Sequence, residues 1–320
     1  MSQEMLKVLV VGLDNSGKTS IINTLEQKLA RFHALKPTVS FEIRDEFTIL
    51  GLPIKIWDLG GQKQYRDEYL TKKGFIFGES NLLFYVVDVQ DPKRYTEAVD
   101  YFEKAIEFLE KIELPLKIVV LLHKADPEIK HTPKFQKNIS MLKNLFKKLD
   151  VQDPRRYFDV ERPFQKLTFS PTSIYDRENL SKAFIAGIFK TLPKTKVIQE
   201  ALNEFMKNSG SQAVVLLDEN VLIIGEAFND ETSKNLCEIS GPLLSNMSEK
   251  LIKYNLNPPI VLEAQMSEDE WLFQKPIQVE NSRFYLAFLT KQRTLDKINK
   301  FLPRLTEDLS NLIRYVVSPE

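Results

Sequence analysis

The 320-residue chain contains one cysteine, Cys237, and three histidines, His33, His123 and His131. A single thiol excludes an internal disulfide and a thiolate-held metal cluster. The histidines show no metal-ligand spacing, and Cys237 is expected as a buried helix residue. Net charge is also missing: 44 basic and 44 acidic side chains cancel, so no global field favours nucleic acid or an acidic membrane. No apolar run reaches the length of a membrane span, no secretory start is visible, position 2 is not glycine, and no lipidation cysteine stands near the C-terminus. The expectation is a soluble, cytoplasmic protein that meets membranes only through a partner.

What is present is enough apolar material, 43% of 320 residues, for two cores. Residues 1–196 hold 32 basic and 26 acidic side chains, a net +6, leaving 12 and 18, a net −6, for 197–320. In the first part KVLVVG, SFEIRDEFTI, PIKIWD, NLLFYVVDV, LKIVVLLHKAD and FQKLTFSPTS alternate with helical stretches. Continuous runs such as LLFYVV and IVVLL suit strands buried on both faces, and strand–helix alternation predicts a mostly parallel sheet with right-handed crossovers. SFEIRDEFTI alternates instead and precedes GLP, as an edge hairpin would. Residues 1–192 thus read as a doubly wound α/β domain.

Residues 193–197 break the pattern at a proline and are read as a linker. In 198–320 the order changes to helix, two apolar strands joined at DEN, a helix from about Thr232 to Tyr254, short strands, and a last helix from about Leu295 to Tyr315. VLIIGEAF and RFYLAFLT are candidate edge strands for pairing with a sister domain. A self-contained domain is the alternative.

GLDNSGKT, residues 12–19, fits G-x-x-x-x-G-K-[ST] between a strand and a helix. Gly12 and Gly17 let the chain curl until successive amides of Asp14, Asn15, Ser16, Gly17, Lys18, Thr19 and Ser20 can face an anion at the positive end of the helix. Lys18 would reach the β- and γ-phosphates and Thr19 would ligate Mg²⁺. WDLGGQ follows the strand PIKIW: Asp58 can hold an Mg²⁺-bound water, the Gly60 amide can contact a γ-phosphate, and Gln62, preceded by Gly61, can orient an attacking water. LLHKAD places Asp126 to accept from N1 and N2 of guanine, a pairing adenine lacks, with Lys124 along the purine. FSPTSIYD offers the amide of Ser173 or Ile174, after Thr172, to guanine O6. Thr38 in PTVS can add a hydroxyl to Mg²⁺ and an amide to the γ-phosphate.

With these motifs in place, residues 1–192 resemble small GTPases of the Ras superfamily. GLD-x-x-GKT, PT and WD-x-GGQ look like the Arf branch, and HKAD and TSIYD look like the Rag/Gtr branch, which has His where most relatives have Asn. Here that residue is His123. The resemblance implies a P-loop G domain binding GTP/GDP and Mg²⁺, held by Thr19, Thr38 and, through water, Asp58. It also implies exchange and GTPase-activating partners and no nucleic acid. Rag proteins append a roadblock-type domain that dimerises, and residues 198–320 are similar to this roadblock/longin-like α/β unit in element order. The dimer would form with a second copy, a related GTPase or a roadblock protein.

Asp14 also occurs in Arf-like loops, so it need not disable the site. Its side chain is expected to point toward solvent or the switch region and to slow hydrolysis. No arginine stands just before Thr38, where Leu35, Lys36 and Pro37 lie, so a partner is expected to supply that charge. A nucleotide-stabilised scaffold with incidental turnover and a P-loop kinase are the competing classes. No arginine-rich lid supports the second.

Overall fold

The computed structural model describes residues 5–29, 41–43, 47–49, 52–71, 76–111, 116–152, 167–192, 196–280, 282–291, 293 and 295–317. Residues 5–47 and 53–191 form one compact unit, and residues 192–320 form the body of another.

In the first unit the buried apolar runs become strands. They are β1 (Leu6–Gly12), β2 (Phe41–Ile43), β3 (Phe47–Ile49), β4 (Leu52–Leu59), β5 (Leu82–Asp88), β6 (Lys117–His123) and β7 (Thr168–Thr172). They lie in the order β2-β4-β1-β5-β6-β7, with β3 also paired to β4. β4, β1, β5, β6 and β7 run parallel, whereas β2 is antiparallel to β4. Among the described residues five helices cover or flank the sheet: α1 (Lys18–Leu29), α2 (Lys63–Thr71), α3 (Tyr95–Lys111), α4 (Pro133–Gln152) and α5 (Arg177–Phe189). A 3₁₀ turn, Pro92–Arg94, leads into α3.

The order explains where a ligand can sit. β1 lies between β4 and β5, so the chain leaves it in opposite directions, and the crevice beyond the carboxyl ends of the strands opens at that reversal. The face beneath is pinned by Tyr85, Phe102 and Phe146, all fully buried. Phe102 stands edge-on to Tyr85 at 4.9 Å and to Phe146 at 5.1 Å between centroids. The Tyr85 hydroxyl, otherwise costly to bury, donates to the Ala98 carbonyl. Each such ring contributes roughly 1.5–3 kcal/mol by burial, which holds α3 and α4 against the strands that carry the site.

The second unit has α6 (Lys196–Ser209), β8 (Ser211–Asp218), β9 (Ile223–Phe228), α7 (Glu231–Lys253), β10 (Leu262–Gln265), β11 (Trp271–Val279), β12 (Ser282–Thr290) and α8 (Leu295–Val317). The sheet is antiparallel in the order β10-β11-β12-β8-β9. Lys196 and Val197, read as linker from sequence, already belong to α6. Along β8, Ala213, Val215 and Leu217 share one core with Cys237 and Leu244 of α7. On the other face Phe205 of α6 meets Phe288 of β12 at 6.5 Å. Asp230 caps α7 by accepting from the Ser233 amide at 2.9 Å. Cys237 is fully buried as expected, and burial pushes its thiol up to about 12.

One expectation is corrected here. RFYLAFLT is not an edge: β12 pairs with β11 on one side and β8 on the other. The sheet edges are β9 and β10. Trp271 and Phe273 both lie in strand β11, Phe273 fully buried and Trp271 half-buried beneath the Arg293 guanidinium, 5.4 Å from its ring centroid.

Candidate functional site

The turns after β1, β4, β6 and β7 all leave the sheet at the same end, because these strands run parallel. Gly12 to Ser20, Asp58 to Gln62, His123 to Asp126 and Thr172 to Ile174 are thereby assembled along one rim. Thr38, with Leu35, Lys36 and Pro37 before it, lies outside the described residues.

Glycine is required in the phosphate loop by space as much as by dihedral angle. A Cβ on Gly12 would stand 2.3 Å from the Val86 carbonyl oxygen. At Gly17, with φ +96°, it would stand 2.4 Å from His123 Cδ2. Asn15 adopts φ 58°, the left-handed conformation that Asn tolerates. Lys18 is buried, and its ammonium donates to the carbonyls of Gly12 at 3.1 Å and Leu13 at 2.7 Å. Burial lowers its pKa to about 8 against the pull of Asp58 and Asp14. The Thr19 hydroxyl donates to Asp58 Oδ2 at 2.6 Å, and Asp58 is fully buried. Ser16 is buried and Ser20 half-buried, whereas Asn15 is exposed.

Gly60 and Gly61 bring the DLGGQ turn onto the phosphate loop. The Asp14 amide donates to the Gly61 carbonyl at 2.9 Å, and a Cβ on Gly61 would fall 2.2 Å from the Asp14 nitrogen. Gln62 is exposed at the start of α2, its side-chain oxygen 3.4 Å from the Gln64 amide.

At the far end of the rim, Asp126 Oδ1 accepts from the Ser173 hydroxyl at 2.6 Å and Oδ2 from Gln90 Nε2 at 3.0 Å. Gln90 Nε2 also donates to the Lys124 carbonyl at 2.9 Å. Lys124 has φ 63° and pairs with Asp88 at 2.6 Å, so its aliphatic stem is held in place. The Ala125 amide donates to the Thr172 carbonyl at 3.0 Å, tying the two base-side turns together. His123 is buried with Nδ1 3.1 Å from the Thr172 hydroxyl. Burial lowers its pKa to about 4, so the ring is neutral at ordinary pH. His123 therefore touches both the base side and, at Gly17, the phosphate side. Ile174 is half-buried in the turn that follows.

The Asp14 side chain is 46% exposed and also has a partner that the sequence did not show: Arg94 Nη2 donates to Oδ1 at 2.7 Å, and Nη1 to Oδ2 at 3.2 Å and to the Asp14 carbonyl at 3.1 Å. This hydrogen-bonded ion pair holds the Asp14 carboxyl below the ordinary carboxylate range. Arg94, Gln90 and Asp88 were missed in the sequence because they belong to no phosphate or base motif. The available signal was their place at the end of the central strand β5 (Asp88) and just after it (Gln90, Arg94).

The residues fit a nucleoside polyphosphate and a hard cation. The loop is packed so closely on Val86 and His123 that neither Gly12 nor Gly17 can carry a Cβ, a buried ammonium stands beside it, and the Thr19 hydroxyl and Asp58 carboxylate lie side by side, oxygen donors of the kind a hard cation such as Mg²⁺ takes. Fold and site together define a small GTPase of the Rag/Arf kind. The chain belongs to the Gtr1/RagA G protein family: the model of its conserved region matches residues 7–246.

Among relatives, the chain is 28% identical to Ras-related GTP-binding protein A of Dictyostelium discoideum over 221 residues, covering 68% of each chain. It is 26% identical to GTP-binding protein GTR1 of Saccharomyces cerevisiae over 235 residues, covering 72% of each. ADP-ribosylation factor-like protein 3 of Chlamydomonas reinhardtii matches at 37% over 92 residues, 29% of this chain and 48% of that protein. Of solved structures, the Arl6 BBS3 small GTPase from Trypanosoma brucei with bound GppNp aligns with a TM-score of 0.44 at 19% identity, covering 59% of this chain and 98% of that one. Myxococcus xanthus MglB aligns with 0.33 at 15%, covering 39% and 94%.

Proposed function

We propose that the chain is a GTP/GDP switch with slow unaided hydrolysis, whose second unit dimerises and recruits regulatory partners. The observation that carries the reading is the rim itself, with an anion cradle at Gly12–Thr19 and a held carboxylate, Asp126, at the other end. Asp126 accepts from the guanine N1 and N2 positions, Lys124 covers the purine, and the amide of Ser173 or Ile174 meets O6. The loop amides and Lys18 grip the phosphates. Thr19, Thr38 and, through water, Asp58 would hold Mg²⁺, which would supply positive charge against the phosphates. Gln62 orients water for in-line attack, with Gly60 and Gly61 setting its approach.

Slow turnover rests on the need for an arginine from an activating partner, worth about 10³–10⁵ in rate in such enzymes. It does not rest on Asp14, whose charge Arg94 offsets. Exchange proteins would open the same rim. The balanced net charge supports no nucleic-acid partner, and membranes are reached through other proteins.

The dimer reading is supported by the outer face of α7. Ile239, Leu243 and Met247, spaced four apart, are 74%, 54% and 43% exposed, while Cys237 and Leu244 face the sheet core. A row of that kind suits a second copy or a related roadblock-bearing GTPase.

The test is to identify the nucleotide retained by purified protein and compare GDP, ADP and XDP affinities. Selective GDP binding lost on Asp126→Ala supports the reading, and equal affinity for ADP defeats it. A scaffold with incidental turnover is the second reading, favoured by His123 in the base-side turn and opposed by Gln62. Gln62→Leu separates the two: a switch is locked in its GTP form, and a scaffold is unaffected.

A further inference from the structure

We infer that Arg94, Glu97 and Arg66 are positioning residues for Gln62, acting as a chain of alternating charges that ties α2 to the phosphate loop. This rests on the hydrolytic reading above. The chain begins with the Asp14–Arg94 pair. Arg94 Nε donates to Glu97 Oε2 at 3.0 Å, and Arg66 Nη2 donates to Glu97 Oε1 at 2.6 Å. Arg66 is only 6% exposed, and its guanidinium lies 5.0 Å from the Tyr101 ring centroid. Its main-chain amide then donates to the Gln62 carbonyl at 3.1 Å, closing the path to the residue that orients water.

α2 needs such anchors. It has nine residues, KQYRDEYLT, too few and too polar to hold a helix by itself. Tyr69, buried in the main core, fixes its second half. Arg66 is the corresponding anchor for the half that carries Gln62. Glu97 is the joint of the chain, since it accepts from both arginines, and their donation holds its carboxyl below the usual range. Because the chain starts at the loop that grips phosphate, a shift of Asp14 reaches α2 through three contacts of charged groups, which are stronger and more directional than neutral ones.

The experiment compares full-length wild type, Glu97→Gln, Gln62→Leu and the double variant, measuring GDP and GTP affinity and single-turnover hydrolysis. Glu97 is 44% exposed at its side chain, so the isosteric amide leaves the fold intact. The expected result for Glu97→Gln is unchanged affinity for both nucleotides with hydrolysis slowed about tenfold, less than the ~10²-fold that a 1 Å misplacement of a catalytic group costs. In the Gln62→Leu background the same change should have no further effect, as for residues acting in one unit. Arg66→Lys should retain most of the rate that Arg66→Met loses. Hydrolysis within about twofold of wild type in Glu97→Gln, or an equal fractional loss with and without Gln62, overturns the inference. If Gln62→Leu itself hydrolyses like wild type, the hydrolytic reading falls and takes the inference with it.

Discussion

His123 lies so close to Gly17 that a methyl group on the glycine would come within 2.4 Å of the ring's Cδ2. Gly17→Ala must therefore both strain the backbone and displace the ring. The backbone part alone costs about 1–3 kcal/mol. Urea unfolding of Gly17→Ala, His123→Ala and the double variant should give a coupling of about 0.5–3 kcal/mol, because removing the ring relieves the clash but not the strain. Strict additivity would contradict the contact.

The same ring makes stability depend on acid. His123 is neutral when folded, with a pKa near 4 against 6.5 unfolded. The unfolded chain thus binds the extra proton between these values, so stability is lost as pH falls from about 6.5 and is constant above it. The span corresponds to about 3 kcal/mol at most. Subtracting the pH profile of His123→Asn from that of wild type cancels the carboxylates and should leave this slope. A flat difference between pH 4 and 6.5 would show that the imidazole is not held neutral.

Gly61→Ala should separate binding from hydrolysis. The added Cβ cannot share space with the Asp14 nitrogen at 2.2 Å, so the DLGGQ turn must lift away. The phosphate loop keeps its own glycines and Lys18, and GDP affinity should stay within a few fold. Hydrolysis should fall about 10²-fold as Gln62 is displaced. Equal losses in both would mean that the turn is part of the grip.

On α7, Ile239→Asp and Leu243→Asp replace side chains that are 74% and 54% exposed, so the folded monomer should be unaffected. Sedimentation of the full chain should pass from dimer to monomer if this face is the interface. An unchanged dimer would move the interface to β9 or β10.

The main features of the rim were legible because each motif sits at a strand end, where apolar runs stop at glycine, aspartate or lysine. Local spacing carries that information. It does not carry the Asp14–Arg94 pair, whose partners are 80 residues apart and meet only because β1 and β5 are neighbours. Nor does it carry the pressure of Gly61 on the loop, since DLGG alone reads as a turn. β12 was misplaced for a different reason. Its run FYLAFL is buried at every position, the mark of a strand covered on both faces, whereas in β9 only Ile224 and Ala227 are buried. The signal was present and was outweighed by the length of the apolar run.

The position of β12 also orders events during synthesis. β8 and β11 are made first, yet each has β12 as a partner, so the second unit's sheet stays in two pieces until residue 290 has left the ribosome. Pairings separated this far along the chain form slowly and leave strand borders open meanwhile. A chain ending before Ser282 would leave the N–H and C=O groups of β8 and β11 unpaired on either side of an empty slot, and its natural fate would be to capture a strand from another molecule.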